Sequence, residues 1–281
     1  MNLSIPLADR SPPAPLVNGA VRGWHVLLLY WLIYLSMTVA SAKLTRDLPA
    51  DIRQAWRNLV VQGVSALLVV LVTVAVPELR RSLSQLYAKR GDGLRLLDVA
   101  LCLGLMLAWG LGAHRMLLLW PALNWNPSWF GTLGFAEHAV RPSGVAGLFM
   151  LLSSVVVAPV AEELVFRGFL LNLWRHRWGV RWGIVLSSLA FGTAHFQYTL
   201  FAAAMGVLFC MVYLRFGTLW QGTILHSLYN LVAGPFGLSI WFVEKNRADI
   251  PFLSAWIPEI ALTAAFFPLA FLFWRRFRPA S

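Results

Sequence analysis

Cysteine is nearly missing from this chain. Cys102 and Cys210 are its only two, and both sit inside apolar runs. Two such thiols build no disulfide framework and no zinc knuckle. Buried in apolar surroundings, they read as small, inert hydrophobes. Charge is also scarce. Asp, Glu, Lys and Arg make up 12% of the 281 residues, about half the share of a soluble domain. That excludes a soluble enzyme, a coiled coil and a charged disordered tail. Acidic residues number 12 against 23 basic ones, for a net charge of +11. This excess does not point to nucleic acid. The basic residues lie in short clusters between apolar runs, as loop charges of an inner-membrane protein do. A nucleic-acid binder shows its charge on a solvated surface. No H-E-x-x-H zincin motif occurs.

Apolar residues are what the chain has in excess. They form 59% of it, with 14 Trp and 18 Phe, and mean hydropathy is +0.67. The fold class expected is all-α, a polytopic integral membrane protein of about eight transmembrane helices, because a hydrocarbon core forces backbone groups to pair within each segment. The candidate spans are 24–40, 58–76, 96–119, 144–171, 184–195, 200–214, 219–233 and 256–273. Residues 1–22, with Pro12, Pro13 and Pro15 and no long apolar centre, read as a disordered leader rather than a cleavable signal. With the N-terminus inside, fourteen Lys and Arg fall in inside segments and eight in outside ones. The bias puts both termini in the cytoplasm. The expected organisation is leader 1–22, N-terminal helices 23–143 of unassigned role, a helical core 144–233 and a last loop and span 234–281. Trp24, Trp120, Trp125, Trp129, Trp174, Trp182, Trp256 and Trp274 fit interfacial belts.

A charge in hydrocarbon costs about 2.5–3.5 kcal/mol even on lenient scales, so such residues mark interior or functional positions. Here they gather in one half of the chain. The fourth span carries Ala161-Glu162-Glu163-Leu164-Val165-Phe166-Arg167-Gly168. The fifth ends in Phe191-Gly192-Thr193-Ala194-His195, and the seventh holds His226-Ser227-Leu228-Tyr229-Asn230. Glu163 and Arg167 are four apart and meet on one helical face, so Glu163 neutralises Arg167. Glu162 has Phe166 at that spacing and is the freer carboxylate, suited to general acid–base work. His226 and Asn230 are also four apart. Counted along continuous helices from the basic loops, Glu162 and His195 lie roughly 20 Å deep and His226 roughly 16 Å. One membrane layer thus receives a carboxylate, two imidazoles and a carboxamide. A single buried His or Asn is often only interhelical glue; the cluster at one depth argues against that plain reading. Asp98 and His114 have no partner at helical spacing and read as interfacial or structural. Pro159 is expected to kink the fourth span.

These groups suit water activation. Glu162, aided by His195, would deprotonate a water that attacks a peptide carbonyl, and His226 with Asn230 would donate to the oxyanion. No Ser or Cys faces a base in the same layer. The chemical rival is a zinc ion on Glu162, His195 and His226 with one open position. Spacing leaves both open.

The sequence Glu162-Glu163-x-x-x-Arg167, then Phe191-x-x-x-His195, then His226-x-x-x-Asn230 resembles the CAAX protease and bacteriocin-processing (Abi) family. These are glutamate-type intramembrane proteases that include the type II CAAX prenyl endopeptidase. The resemblance covers about residues 144–233. It implies an intramembrane cavity, Glu162 and His195 as the water-activating pair, His226 and Asn230 on the oxyanion side, and Glu163 and Arg167 in support. It favours a site without a metal or other cofactor. The partners implied are the bilayer and a protein or peptide substrate with a membrane-associated segment, cut near a C-terminal tail. The short loops and compact size of the chain, with the loop charges above, suggest a bacterial inner membrane. Two further readings remain at this point: a non-catalytic immunity or scaffold protein of the same fold, and a proton-coupled transporter. The second fits poorly, because the other half carries no matching polar helices.

Overall fold

The computed structural model describes residues 21–48, 53, 56, 59–88, 93–113, 148, 151–195, 199–233 and 252–277. Every regular element among them is helical. Helix α1 is Gly23–Leu44. A wide π-helical stretch, Leu59–Val64, runs into α2, Ser65–Ala75. Helix α3 is Pro77–Tyr87. Helix α4, Leu96–Leu107, continues as a π stretch to Ala113. The central rod is a π stretch Ser153–Val157, then α5, Ala158–Glu162, then a second π stretch Glu163–Leu171. Helix α6 is Asn172–Ala194, α7 is Thr199–Phe216, α8 is Leu219–Ala233 and α9 is Phe252–Phe277. The leader, His114, Trp120, Trp125, Trp129 and the loop around Lys245 lie outside the described residues.

Among the described residues, large apolar side chains face outward while several charged and polar ones are sealed inside. Leu28, Leu32, Leu35 and Val39 form an exposed stripe on α1, at the three- and four-residue steps that share a helical face. Leu67, Val70, Leu71 and Val74 do the same on α2, and Phe267, Phe271 and Leu272 on α9. Glu163, Arg167 and Asn172 are meanwhile fully sealed. Water would penalise that outer surface and hydrocarbon does not. The protein is membrane-embedded. Three described helices are long and apolar enough to cross a bilayer alone: Gly23–Leu44, Thr199–Phe216 and Ile260–Phe277. Ser65–Ala75 and Leu96–Gly112 are shorter apolar helices.

Several expectations need adjusting. Residues 77–87 form an amphipathic helix rather than a plain basic loop: Pro77 and Glu78 suit its first turn, Leu79 and Leu86 are buried, and Arg80 and Arg81 are exposed. The basic stretch 175–181 is also helical, apart from a reversal at Gly179 (φ 86, ψ 164). There Gly183 comes so close to Arg175 that a Cβ would sit 2.9 Å from its backbone. At Pro159 the rod passes from π to α winding. Val157 and Ala158 keep right-handed helical angles around it, and the π stretch just before it takes up the mismatch left by its missing N–H. Asp98 does have partners, from across the bundle. It accepts 2.7 and 3.1 Å hydrogen bonds from Arg276 of α9 and caps the Arg95 N–H.

Contacts gather the basic segments at one end of the bundle. Gly23 lies against the Trp174 indole. The Tyr87 ring meets Trp220 at 5.2 Å, and Phe216 meets Phe277 at 6.2 Å. Small residues let α6 and α7 pack at backbone distance: a Cβ on Gly206 would lie 2.8 Å from Ser188 Cα, and one on Gly192 2.6 Å from Thr199 O.

Candidate active site

Glu162 closes α5 and Glu163 opens the π stretch after it. The bonding from i to i+5 in such a stretch widens the turn, a feature frequent at functional sites. It lets two adjacent carboxylates reach toward one neighbouring helix. His226 of α8 stands between them. Its Nδ1 is 3.2 Å from Glu163 Oε1 and its Nε2 is 3.8 Å from Glu162 Oε2. His195 sits just past the end of α6 and brings its Nε2 to 3.9 Å from the same Glu162 oxygen. Glu162, His195 and His226 therefore converge as the spacing argument expected.

The two carboxylates sit in different surroundings. Glu163 and Arg167 are 0% exposed and pair at 3.1 Å, whereas Glu162 is 18% and His195 32% exposed. The Arg167 guanidinium also lies 4.2 Å from the Phe191 ring centroid and 5.0 Å from that of Phe209, and reaches Gly206 O at 3.4 Å. A cation held by two aromatic faces and a carboxylate has its charge balanced without water. The Phe209 ring stacks on His226 at 4.7 Å. So the i,i+4 argument for Glu163 and Arg167 describes the contact but only half of the role of Glu163. Its Oε1 is shared between Arg167 and His226. Nothing in the local spacing of the sequence links residues 163 and 226.

Ring tautomers follow from the partners. A carbonyl oxygen only accepts, so His195 Nδ1, 2.8 Å from Phe191 O, carries the hydrogen, and its Nε2 presents a lone pair to Glu162. His226 Nδ1, 3.2 Å from Glu163 Oε1, is likewise placed to donate to that carboxylate.

Asn230 is placed differently from its helical partner. Its Nδ2 donates 2.8 Å to Ser154 O on the first π stretch of the rod, which ties α8 to that stretch. Asn172 was not singled out in the sequence. Its Nδ2 reaches Arg167 O, Gly168 O and Tyr213 Oη at 3.0, 2.7 and 2.9 Å, satisfying carbonyls that the π geometry leaves open. Ser187 donates to Phe166 O at 2.6 Å. Ser187 is a polar residue inside the fifth candidate span, and Asn172 directly follows the fourth, which is the signal that could have flagged them. Among the described residues no group of three or more His, Cys, Asp or Glu is disposed to hold a metal ion.

This geometry lies within the segment that known proteins share. Residues 144–232 match the type II CAAX prenyl endopeptidase Rce1-like family. The match takes in Glu162, His195 and His226 and about a third of the chain. A 127-residue stretch is 32% identical to an uncharacterized 24.3 kDa protein of Escherichia coli, covering 43% of this chain and 57% of that one. A 109-residue stretch is 31% identical to CAAX prenyl protease 2 of Caenorhabditis elegans, covering 33% of this chain and 41% of that one. The chain thus spans about half the length of these relatives. No solved structure matches.

Proposed function

We propose that this protein is an intramembrane endopeptidase of the glutamic type. Its reaction is hydrolysis of a peptide bond near the C-terminal tail of a membrane-associated protein or peptide. One observation carries the reading: two imidazole nitrogens face a single, partly open carboxylate oxygen at 3.8 and 3.9 Å. Those gaps are too long for direct hydrogen bonds, and a water set to one side of the line joining the two atoms can reach both. The similarity of residues 144–232 to the Rce1-like family supports the same reading.

A water between Glu162 and His195 donates one hydrogen to Glu162 Oε2 and the other to His195 Nε2, leaving an oxygen lone pair for the substrate carbonyl. As the new C–O bond forms, Glu162 takes the proton. It returns that proton to the leaving nitrogen as the C–N bond breaks. His226, when protonated, donates from Nε2 to the oxyanion, and Glu163 balances its charge through Nδ1. Asn230 spends one amide hydrogen on Ser154 O and offers the second to the same oxyanion. Both termini are assigned to the cytoplasm of a bacterial inner membrane, following the charge bias of the loops.

The test pairs wild type with Glu162→Gln in proteoliposomes, with candidate tail peptides and a chelator control read by mass spectrometry. Cleavage lost in the variant and untouched by chelator is expected. Equal cleavage by the variant removes Glu162 as the base, and loss with chelator moves the chemistry to a metal.

A further inference from the structure

One turn along α8 from His226, at the other oxygen of Glu163, lies a second polar cluster. Oε2 of Glu163 is buried and has no hydrogen-bond partner. It points at Gly222 of α8, where a Cβ would lie 2.9 Å from it. Thr223 follows Gly222, and its Oγ1 is also buried without a partner. The Tyr87 hydroxyl, from the last residue of α3, is the third such atom. Its ring is fixed against Trp220 at 5.2 Å, and its hydroxyl lies near enough to that of Thr223 to interact with it, short of good hydrogen-bond geometry. Packing brings these elements together: a Cβ on Gly168 of the rod would touch Leu86 of α3 at 3.2 Å and Leu219 of α8 at 3.3 Å.

An ionised carboxylate oxygen sealed without a donor costs far more than the usual buried polar atom. The bare face of Gly222 lies against this one, the Thr223 hydroxyl follows on the same helix, and the Tyr87 hydroxyl feels its charge. Three polar groups are what one buried water needs. We propose that Tyr87 and Thr223 are positioning residues for the peptidase chemistry, donating, with a water seated beside Gly222, to Oε2 of Glu163 and so holding the Glu163–His226 pair. This rests on the catalytic reading above. It adds a part supplied by α3, outside the family-matched segment.

The groups facing Glu163 are Arg167 and Glu162 on its own rod, His226 of α8, Tyr87 of α3 and, electrostatically, Cys210 of α7. His195 meets Glu162 from the end of α6. Burial, followed by the Glu163 charge, pushes the Tyr87 phenol up to about 12. It stays a neutral donor at every pH where the enzyme would work. Donors on Oε2 draw charge away from Oε1. Removing them changes how strongly Glu163 grips His226 Nδ1, and hence the proton at Nε2.

Tyr87→Phe and Thr223→Val, singly and together, test this in the full chain in nanodiscs. Steady-state cleavage of a tail peptide supplies kcat, KM and the pH profile. Nitrogen NMR of labelled histidine rings, with His226→Gln for assignment, reads the pair without turnover. The expected result is a kcat lower by about tenfold, as for other outer supporting groups, with KM held. The pH midpoint moves by about half a unit or more, and His226 resonances shift while those of His195 stay. Thr223→Ser, which keeps the hydroxyl, restores wild-type behaviour and guards against simple misfolding. A change in KM alone, or unaltered His226 resonances in the double variant, overturns the proposal. Should Glu162→Gln cleave like wild type, the catalytic reading fails, and the NMR arm still decides whether Tyr87 and Thr223 hold the pair.

Discussion

Removing the Arg167 guanidinium strands a carboxylate in the driest part of the molecule. Arg167 and Glu163 are each fully buried and 3.1 Å apart. At an effective dielectric near 20, two unit charges at that separation attract by about 5 kcal/mol. The rings of Phe191 and Phe209, at 4.2 and 5.0 Å, add about 1 kcal/mol each. Relief of the desolvation of Arg167 offsets part of this. Arg167→Met is therefore expected to cost about 3–5 kcal/mol, the range for breaking a buried pair from one side. Glu163→Gln on top of it removes the stranded charge and leaves an amide oxygen that still accepts from His226 Nδ1. The double variant should be more stable than Arg167→Met alone. The assay is reversible denaturant unfolding in mixed micelles, followed by tryptophan fluorescence and run as a double-mutant cycle. Losses that simply add would refute the claim that the pair is one buried electrostatic unit.

Other perturbations isolate single features. Gly179→Ala meets no neighbour within 4 Å, so its cost is backbone alone. At φ 86, ψ 164 it should lose about 1–3 kcal/mol, and no loss in thermal unfolding would mean that the reversal is made differently. Gly206→Val drives its side chain into Ser188 Cα, and overpacking of that kind costs about 1–3 kcal/mol. A cysteine cross-link series between α6 and α7 would show whether the helices part. Asn172→Leu removes the donor to two rod carbonyls and Tyr213, with an expected loss of about 1–3 kcal/mol; unchanged stability would show the π stretch is self-sufficient. Asp98→Ala leaves Arg276 without its bidentate partner. A partly exposed arginine can turn to water, so the loss should stay within about 1–2 kcal/mol; a larger one would mean that α4 and α9 depend on this clamp.

The membrane nature and the cluster of charged and polar residues within apolar runs were legible in the sequence because both are one-dimensional properties. An apolar run is long or short whatever it packs against. A Glu, His or Arg inside it is costly wherever its helix turns. Glu163 with Arg167 was readable for the same reason, since four residues along one helix fix a contact locally. Asp98 was read as interfacial or structural, and its partner stayed out of view: Arg276 is 178 positions away, and helical spacing says nothing about another helix.

What tertiary structure alone decided is how the pieces face one another. The count along ideal helices put Glu162, His195 and His226 at similar depth. It gave no sign that a π stretch would turn both carboxylates toward α8, because one extra residue per turn is a response to packing and to Pro159 rather than a residue preference. It coupled His226 with Asn230, whereas packing gives Asn230 to Ser154 and His226 to two glutamates. Packing also brings Tyr87 of α3 beside Thr223 and Trp220 of α8, and Gly222 against Glu163. Composition and periodicity set where each helix may lie in the bilayer. The rotation of each about its axis, and so the partner of every buried polar atom, is settled only when the helices pack.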